Sequence, residues 1–220
     1  MVEPFRDRFS AGIQLAEKLL DYASIPDVIV LGLPRGGVEV AYEVALRLNT
    51  ELDVFLVRKL GTPFEPELAM GAIAEGGILL LNDAVVNYMG ISKDSIESVA
   101  KEELAELERR LKLYRNGRPA LELKGKIVVI VDDGLATGAT MKAALKAIKR
   151  KEPKKTVVAV PVGAPSTCME IKSDADEVIC LKSPEPFTAV GSWYDIFEQT
   201  TDKQVQELLK KASDRFKNDL

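Results

Sequence analysis

Two adjacent carboxylates, Asp132 and Asp133, come directly after the apolar run "KIVVIV" and directly before the small residues "GLATGAT". Ionised carboxylates accept hydrogen bonds and ligate hard cations, so this pair suits the neighbouring hydroxyls of a sugar, either directly or through a divalent cation. Small residues at the start of a helix leave its first backbone N–H groups open to a phosphate, and Thr137 and Thr140 add hydroxyl donors. The run therefore predicts a site for a ribose 5-phosphate.

The two aspartates also have a plainer interpretation, because an isolated Asp pair usually caps a helix or faces solvent. Here the pair follows a strand that is apolar on both faces, as buried parallel strands are. The carboxyl ends of such strands hold the ligand crevice of open sheets. Strand, acids and small-residue loop together favour the ligand site.

Composition removes whole classes of chemistry. The 220 residues include no histidine, which excludes Ser-His-Asp triads, His-ligated zinc and an imidazole general base. The 2 cysteines are too few for a disulfide framework or a four-cysteine zinc site. The formal net charge of -4 gives no support for wholesale binding to nucleic acid. No apolar run approaches the ~18 residues of a membrane span and the N-terminus is charged, so we expect a cytoplasmic protein without a membrane partner.

The elements that must position these groups alternate between short apolar runs and helix-period segments. This alternation predicts an α/β fold, with a mostly parallel central sheet flanked by helices. A hairpin is expected over residues 70–81, around Gly76 and Gly77. Core strands are expected to begin at Asp27, Asp53, Lys126, Thr156 and Asp176. Helices are expected over residues 5–22, 38–48, 93–115, 139–151, 165–172 and 202–212.

We expect one domain over residues 1–220, because no linker rich in Pro, Gly or Ser divides the chain. The long helix is amphipathic, with Ser92 as its cap, and belongs to an insertion over about residues 92–118. In the plainer interpretation, the basic C-terminal end of this helix complements the helix dipole and is solvated. In the alternative, it either caps a bound ligand or forms a nucleic-acid-binding patch. The basic residues concerned are Arg109, Arg110, Lys112, Arg115 and Arg118.

The stretch "VDDGLATGAT" resembles the signature of the type I phosphoribosyltransferases. The resemblance covers nearly all of the chain and implies phosphoribosyl pyrophosphate as the substrate. It implies that Asp132 and Asp133 hold the ribose hydroxyls and serve a bound Mg²⁺. It also implies that the 5-phosphate binds at the loop residues Ala136, Thr137, Gly138, Ala139 and Thr140.

Two further stretches resemble parts of that family. "GLPRGGVEVA" resembles its pyrophosphate loop, with Arg35, Gly36 and Gly37 as candidate contacts, although a Gly-Gly pair is often only a strand-to-helix turn. "FLVRKLG" is expected to end the second core strand with Arg58 and Lys59, which resemble the second set of pyrophosphate contacts. Three cations converging on one sheet edge would offset the charge of a polyanion, whereas solvated side chains are the plainer interpretation.

The Gly/Pro-rich loop over residues 62–70 is expected to be mobile and to close over the site, which would exclude water. In oxopurine-type members of the family an aspartate within the phosphate loop is the candidate general base, and Ala136 stands there in this chain. We therefore expect a loop carboxylate, Glu65 or Glu67, to serve as the base. Solvated acidic residues are the plainer interpretation.

Near the C-terminus, "SPEPFTAVGSWYDIF" resembles the hood of purine-type members, which we expect over about residues 183–201. The resemblance implies that Phe187 stacks on the acceptor base and that Asp195 joins the magnesium site. Trp193 is a competing aromatic platform. Core packing is the alternative for both aromatic side chains, more so for Trp193 than for Phe187.

The resemblance implies transfer of the phosphoribosyl group to a nitrogen acceptor. We expect a nucleobase as the acceptor, Mg²⁺ as the cofactor and a homodimer. Residues 161–170 contain no Lys or Arg, which disfavours hypoxanthine and guanine, because oxopurine members read the base with a lysine near there. The first alternative is a non-catalytic sensor of phosphoribosyl pyrophosphate that regulates a nucleic acid or a partner protein. The second is a receiver-like phosphoacceptor domain, which also ends a strand with Asp-Asp but lacks the small-residue loop.

Overall fold

The computed structural model describes residues 3–23 and 25–218. The strands in these residues are β1 Val28–Gly32, β2 Glu51–Val54, β3 Val57–Gly61, β4 Ala69–Ala74, β5 Ile78–Leu81, β6 Ile127–Val131, β7 Lys155–Val162 and β8 Glu177–Lys182. The helices are α1 Arg8–Glu17, α2 Gly36–Leu48, α3 Asp83–Tyr88, α4 Lys93–Arg115, α5 Ala139–Lys149, α6 Pro165–Ile171 and α7 Asp202–Asn218. Short 3₁₀ turns occupy Leu20–Tyr22 and Val190–Trp193.

The central sheet has five parallel strands in the order β2-β1-β6-β7-β8. Helices α1, α2 and α7 pack on one face of this sheet, and α5 and α6 pack on the other. Every residue of β1 and β6 is buried, because both faces of these strands are covered. The predicted α/β class, a mostly parallel sheet flanked by helices, is confirmed.

The strand order reverses at β1. From β1 the chain runs outward to β2, and it later returns to β6 on the opposite side of β1. A reversal of this kind opens a crevice at the carboxyl ends of the two central strands. Strand β1 leads into the turn over residues 34–37, and β6 leads into Asp132 and Asp133. The topology therefore places both sequence motifs at one crevice.

A second sheet, antiparallel and in the order β3-β4-β5, is built from residues 57–81. Strands β4 and β5 confirm the predicted hairpin, with Gly76 and Gly77 in its turn at φ values of 86° and 73°. Positive φ is inexpensive for glycine and costly for other residues, which explains the Gly-Gly pair. The third strand, β3, was not expected as a separate element.

The prediction that Arg58 and Lys59 end the second core strand is wrong. Strand β2 ends at Val54, and both cations lie inside β3, paired with residues of β4. The buried residues Phe55 and Leu56 join the two strands. The chain thus changes sheets within one apolar run, so hydrophobic periodicity gives no sign of the change.

The long helix α4 lies where the sequence predicts it. The hydroxyl of Ser92 accepts a hydrogen bond from the backbone N–H of Ser95 (3.2 Å), and the helix ends at Asn116 in the left-handed conformation. Leu107 and Tyr114 are fully buried, because α4 packs against β3 and α7. The six-residue α3 was not predicted, since so short a helix shows no clear period.

The first helix is shorter than the predicted segment 5–22. Asp7 caps it by accepting a hydrogen bond from the N–H of Ser10 (2.7 Å), and Ser10 in turn accepts from the N–H of Asp7 (3.1 Å). This capping box starts the helix at Arg8. No helix in the described part of the chain has both the length and the apolar character that crossing a bilayer demands.

Candidate functional site

The acid pair lies against the glycine turn that follows β1. A Cβ atom added at Gly36 would lie 2.1 Å from Asp133 Oδ2, and one added at Gly37 would lie 2.8 Å from Asp132 Oδ1. A larger residue at Gly36 or Gly37 would therefore collide with the carboxylates. The turn also begins α2, so both acids sit beside a helix N-terminus, where the dipole favours negative charge.

Arg8 holds Asp133 in place, and sequence reasoning missed it. Its Nε donates to Asp133 Oδ2 (2.8 Å), and its second guanidinium nitrogen donates to the carbonyl of Glu198 (2.7 Å). The guanidinium also lies 3.8 Å from the ring centroid of Phe197. The side chains of Arg8 and Asp133 are only 7% and 17% exposed, so this is a largely buried ion pair.

Asp132 forms no salt bridge within residues 3–23 and 25–218, and its environment disfavours ionisation. Burial, followed by the negative charge of Asp133, holds the pKa of Asp132 well above its usual range. The backbone N–H of Asp133 donates to Asp132 Oδ1 (2.8 Å) and opposes this shift. The two neighbouring acids are therefore unequal: one is neutralised by a guanidinium, and the other retains a proton to higher pH.

Tyr194 supports the acid pair from the C-terminal side. Its hydroxyl donates to the backbone carbonyl of Asp133 (2.6 Å). Burial, reinforced by the charge of Asp133, raises the pKa of Tyr194, so the phenol remains a donor. Together with Arg8, this tyrosine fixes both the backbone and the carboxylate of Asp133.

The small-residue loop that follows the acids is anchored at its middle. Leu135 is buried; its N–H donates to the carbonyl of Val162 (2.9 Å), and its carbonyl accepts from the N–H of Ala164 (2.8 Å). Gly138 has a φ of 70°, and a Cβ there would lie 2.6 Å from the methyl carbon of Thr167. Both observations require glycine immediately before α5.

A pocket of about 180 Å³ lies over this loop. The first N–H groups of α5 have no acceptor inside the helix and face a region that favours anions. Asp132 lines the same pocket, so donors for a phosphate and a residue with acceptors for hydroxyls are adjacent. The lining residues are Asp132, Gly134, Leu135, Ala136, Thr137, Gly138, Ala139, Thr140, Met141 and Val190.

The aromatic residues of the predicted hood form a separate cluster. The rings of Phe187 and Trp193 are 6.5 Å apart with an interplanar angle of 23°, and both contact a small core built on Phe5 and Tyr194. The indole Nε1 of Trp193 is buried and has no acceptor among residues 3–23 and 25–218. The N-terminal segment joins this hood, because Phe5 exchanges backbone hydrogen bonds with Trp193 (2.8 Å) and Asp195 (2.8 Å).

The three predicted pyrophosphate cations do not converge as a group. Arg58 and Lys59 are adjacent in β3, so their side chains point to opposite faces of the strand. Each cation has a different acidic neighbour: Arg35 lies 3.9 Å from Asp202, Arg58 pairs with Glu103, and Lys59 lies 3.1 Å from Glu67. Arg58 shares a crevice with Pro34 and Thr140, and Lys59 lines a different pocket with Ala139 and Thr140, so each of these two cations lies next to the phosphate loop on its own side.

The loop between β3 and β4 contains both predicted general bases. It is closed by hydrogen bonds from the N–H of Thr62 to the carbonyl of Leu68 (2.9 Å) and from the Thr62 hydroxyl to the carbonyl of Glu65 (2.9 Å). Glu65 is exposed, and Glu67 is 93% exposed with Lys59 as its salt-bridge partner. Their catalytic role stays a prediction.

The oxygen ligands available at the pocket fit Mg²⁺. This ion is commonly held by one or two carboxylates together with water and substrate phosphates. Asp132 lines the pocket, and its sequence neighbour Asp133 is the second candidate carboxylate. Asp195 is exposed, and in the described residues no three Asp, Glu or Cys side chains are grouped as a metal site. The assignment of Asp195 to magnesium stays a prediction.

Comparison with known proteins decides the family. Residues 5–194 match the family model of the phosphoribosyl transferase domain. This chain belongs to the phosphoribosyl transferase domain family. The resemblance to type I phosphoribosyltransferases drawn from "VDDGLATGAT" is thereby confirmed.

Two relatives cover nearly all of this phosphoribosyl transferase domain. A Mycobacterium tuberculosis protein named "putative phosphoribosyl transferase" is 48% identical over 208 residues, which are 94% of this chain and 47% of that protein. The chain thus spans about half the length of its Mycobacterium relatives. The crystal structure of TT1426 from Thermus thermophilus matches with a TM-score of 0.82 and 46% identity, over 94% of this chain and 98% of that one.

A third relative covers only part of the phosphoribosyl transferase domain. The uracil phosphoribosyltransferase of Aquifex aeolicus is 34% identical over 116 residues, which are 52% of this chain and 50% of that protein.

Proposed function

We propose that this chain transfers the 5-phosphoribosyl group of phosphoribosyl pyrophosphate to a nitrogen atom of a nucleobase. The observation that carries the proposal is the pocket that is lined both by Asp132 and by the loop and first turn of α5. A phosphate donor set adjacent to a diol acceptor set matches the two ends of a ribose 5-phosphate. In the reaction the bond from C1 to the pyrophosphate oxygen breaks, a C1–N bond forms, and the acceptor nitrogen loses its proton.

The protein's share of this chemistry is binding and orientation. The loop over residues 136–140 fixes the 5-phosphate, and the carboxylates of Asp132 and Asp133 accept from the ribose hydroxyls. In its ionised form, Asp132 places negative charge beside the sugar, which favours the cationic, oxocarbenium-like transition state. Arg8 and Tyr194 hold Asp133 still, so its orientation does not have to be established when substrate binds.

Asp132 and Asp133 are the residues that would hold Mg²⁺. When bound there, the ion neutralises charge on the pyrophosphate leaving group. Ionised Asp132 is the form that ligates a cation, and its raised pKa makes that form harder to reach than for an exposed aspartate.

The hood and the β3–β4 loop supply the proposed acceptor site. The ring of Phe187 is partly exposed and offers a surface for a base, with Trp193 behind it. A carboxylate of the loop, Glu65 or Glu67, takes the acceptor's proton. The phosphate loop offers no alternative base, because Ala136 has a methyl side chain and its carbonyl accepts from the Thr167 hydroxyl (2.6 Å).

Isotope-labelled phosphoribosyl pyrophosphate, incubated with Mg²⁺ and a panel of purine and pyrimidine bases, tests the proposal. We expect one or a few bases to yield a labelled mononucleotide and free pyrophosphate. The Asp133→Asn variant is the control for loss of the ribose contact. Binding without turnover for every base would instead favour a sensor of phosphoribosyl pyrophosphate, and absence of binding would contradict both functions.

A further inference from the structure

We propose that Arg110, on the long helix α4, is a further ligand of the pyrophosphate group, an inference that rests on the proposed function. A narrow crevice beside the phosphate loop is lined by Pro34 of the glycine turn, Arg58 of β3 and Thr140 of the phosphate loop. Arg110 and Tyr114 complete its wall from the side of α4. The crevice is thus the meeting point of helix α4 and three segments that are expected to contact the substrate: the glycine turn, β3 and the phosphate loop.

The position of Arg110 is fixed by the anchor at the end of its helix. Arg115 is buried and forms two-point hydrogen bonds with Asp53 (2.9 and 3.1 Å) and Glu75 (2.8 and 2.9 Å). It also donates to the carbonyl of Val54 (3.1 Å), at the end of β2. These bonds set both the rotation and the height of α4, so the face that carries Arg110 and Tyr114 points at the crevice. The expectation that the whole basic end of this helix is solvated is therefore wrong for Arg115.

Positive charge gathers around Tyr114. Its hydroxyl donates to Asp202 Oδ1 (2.7 Å), and Arg35 lies 3.9 Å from the same carboxylate oxygen. Burial and the bond to Asp202 raise the pKa of Tyr114, and the charges of Arg110 and Arg35 oppose the rise. Arg110 lines the crevice together with Tyr114. Arg35 of the glycine turn and Arg110 therefore approach the same end of the site.

Both crevice arginines are paired with carboxylates that a polyanion can replace. Arg58 pairs with Glu103, and Arg110 donates to Glu106 Oε1 (2.7 Å). The four side chains are 26–34% exposed, so these pairs remain in contact with water. Partly hydrated pairs of this kind are weak, and a pyrophosphate oxygen offers a guanidinium more charge than a carboxylate does.

Arg109 provides a matched control. It is the neighbour of Arg110 in sequence and also donates to Glu106, at 2.6 Å. Its side chain is 57% exposed, against 34% for Arg110, and it is absent from the crevice lining. Substituting either arginine removes the same charge and the same kind of helix pair.

Calorimetric titration of wild type, Arg110→Gln and Arg109→Gln with Mg²⁺ and three probes tests the inference. The probes are phosphoribosyl pyrophosphate, inorganic pyrophosphate and ribose 5-phosphate. Loss of one charge-assisted contact predicts about a tenfold weaker affinity of Arg110→Gln for the first two probes and an unchanged affinity for ribose 5-phosphate. Arg109→Gln should stay within about twofold of wild type for all three.

A second variant moves affinity in the opposite direction. Glu106→Gln removes the carboxylate charge that competes for Arg110, so it should bind pyrophosphate a few-fold more tightly. Equal affinities of Arg110→Gln and Arg109→Gln for pyrophosphate, or an equal loss for ribose 5-phosphate, would overturn the inference and leave the proposed function standing. A wild-type protein that binds neither phosphoribosyl pyrophosphate nor ribose 5-phosphate would overturn the proposed function itself, and this inference with it.

Discussion

The ribose end and the pyrophosphate end of the proposed site hold their charges in different ways. At the ribose end, Arg8 and Asp133 are 7% and 17% exposed, and Arg8 also bonds to the backbone of the hood. At the pyrophosphate end, Arg58 is 27% exposed, Lys59 is 47% exposed, and each pairs with an exposed or partly exposed glutamate. At the ribose end, the orientation of Asp133 is therefore fixed before substrate binds. At the pyrophosphate end, the cations are held in at least partly exposed ion pairs whose glutamates a substrate can replace.

The difference follows from what each end must do. A ribose diol is neutral and needs an acceptor already aimed at it, so a buried pair that fixes Asp133 is useful even though burying charge is costly. Pyrophosphate has several negative charges and can draw cations away from weak partners. One site can therefore combine a preorganised carboxylate at the ribose end with cations at the pyrophosphate end that change partners when substrate binds.

The largest expected effect comes from removing the buried cation. Arg8→Gln leaves the carboxylate of Asp133 without its partner, which should lower the free energy of unfolding by roughly 3 kcal/mol. The matched change Arg58→Gln at the other end should cost less than about 1 kcal/mol. Urea denaturation of both variants measures the contrast. Equal costs would break the distinction between fixed and exchangeable pairs.

The next effect distinguishes the two aspartates. Asp133→Asn and Asp132→Asn should each weaken binding of phosphoribosyl pyrophosphate with Mg²⁺ by roughly tenfold or more, because an amide keeps the volume but loses the charge. Their stabilities should change in opposite directions. Asp133→Asn deprives Arg8 of its partner and should destabilise the fold.

Asp132→Asn should stabilise the fold at neutral pH. The pKa of Asp132 is higher in the folded chain than in the unfolded chain, so stability is lost as pH rises through the interval between the two values. Because the amide in the Asp132→Asn variant does not ionise, that variant does not lose this stability as pH rises. Thermal unfolding of the two variants at pH 7 and at pH 4 checks this; a destabilised Asp132→Asn at pH 7 would show that its carboxylate is not penalised by burial.

A smaller effect should appear in the pH dependence of binding. The proposed function assigns Mg²⁺ to the ionised form of Asp132, so affinity for the magnesium complex of phosphoribosyl pyrophosphate should rise with pH until the raised pKa of Asp132 is passed. Calorimetry in two buffers of different ionisation enthalpy should detect proton release. The pH dependence of the affinity should disappear in the Asp132→Asn variant. If it persists in that variant, the released proton comes from another group.

The smallest effect belongs to the exposed pair of β3 and its loop. Glu67→Gln breaks the 3.1 Å contact with Lys59, but the glutamate is 93% exposed, so stability should change by less than about 0.5 kcal/mol. A denaturation midpoint that moves as far as that of Arg8→Gln would mean that the pyrophosphate end is as rigid as the ribose end.

The parts of the site that are contiguous in sequence could be predicted without the structure. Strand β6, the acids and the phosphate loop are contiguous, so period and residue type predicted their placement, and the pocket lining contains Asp132 and the five loop residues from Ala136 to Thr140. The α/β class followed from the same alternation of strands and helices. The hairpin at Gly76 and Gly77 followed from turn chemistry.

The missed parts depend on contacts between distant segments. Arg8 and Asp133 are 125 positions apart, and no local pattern distinguishes Arg8 from a solvated helix residue. The separation of β2 from β3 was hidden because Phe55 and Leu56 continue the apolar run. The burial of Arg115 could not be predicted for the same reason as the role of Arg8. Its partners Asp53 and Glu75 are distant in sequence and lie on other elements.

A crystal structure with ribose 5-phosphate bound tests the central claim most directly. We predict difference density for the phosphate at the amides of residues 136–140, with the ribose hydroxyls within hydrogen-bonding distance of Asp132 and Asp133. Arg8 should still contact Asp133 in that complex. Density for the sugar phosphate at any other pocket, with the loop over residues 136–140 left free, would contradict the account.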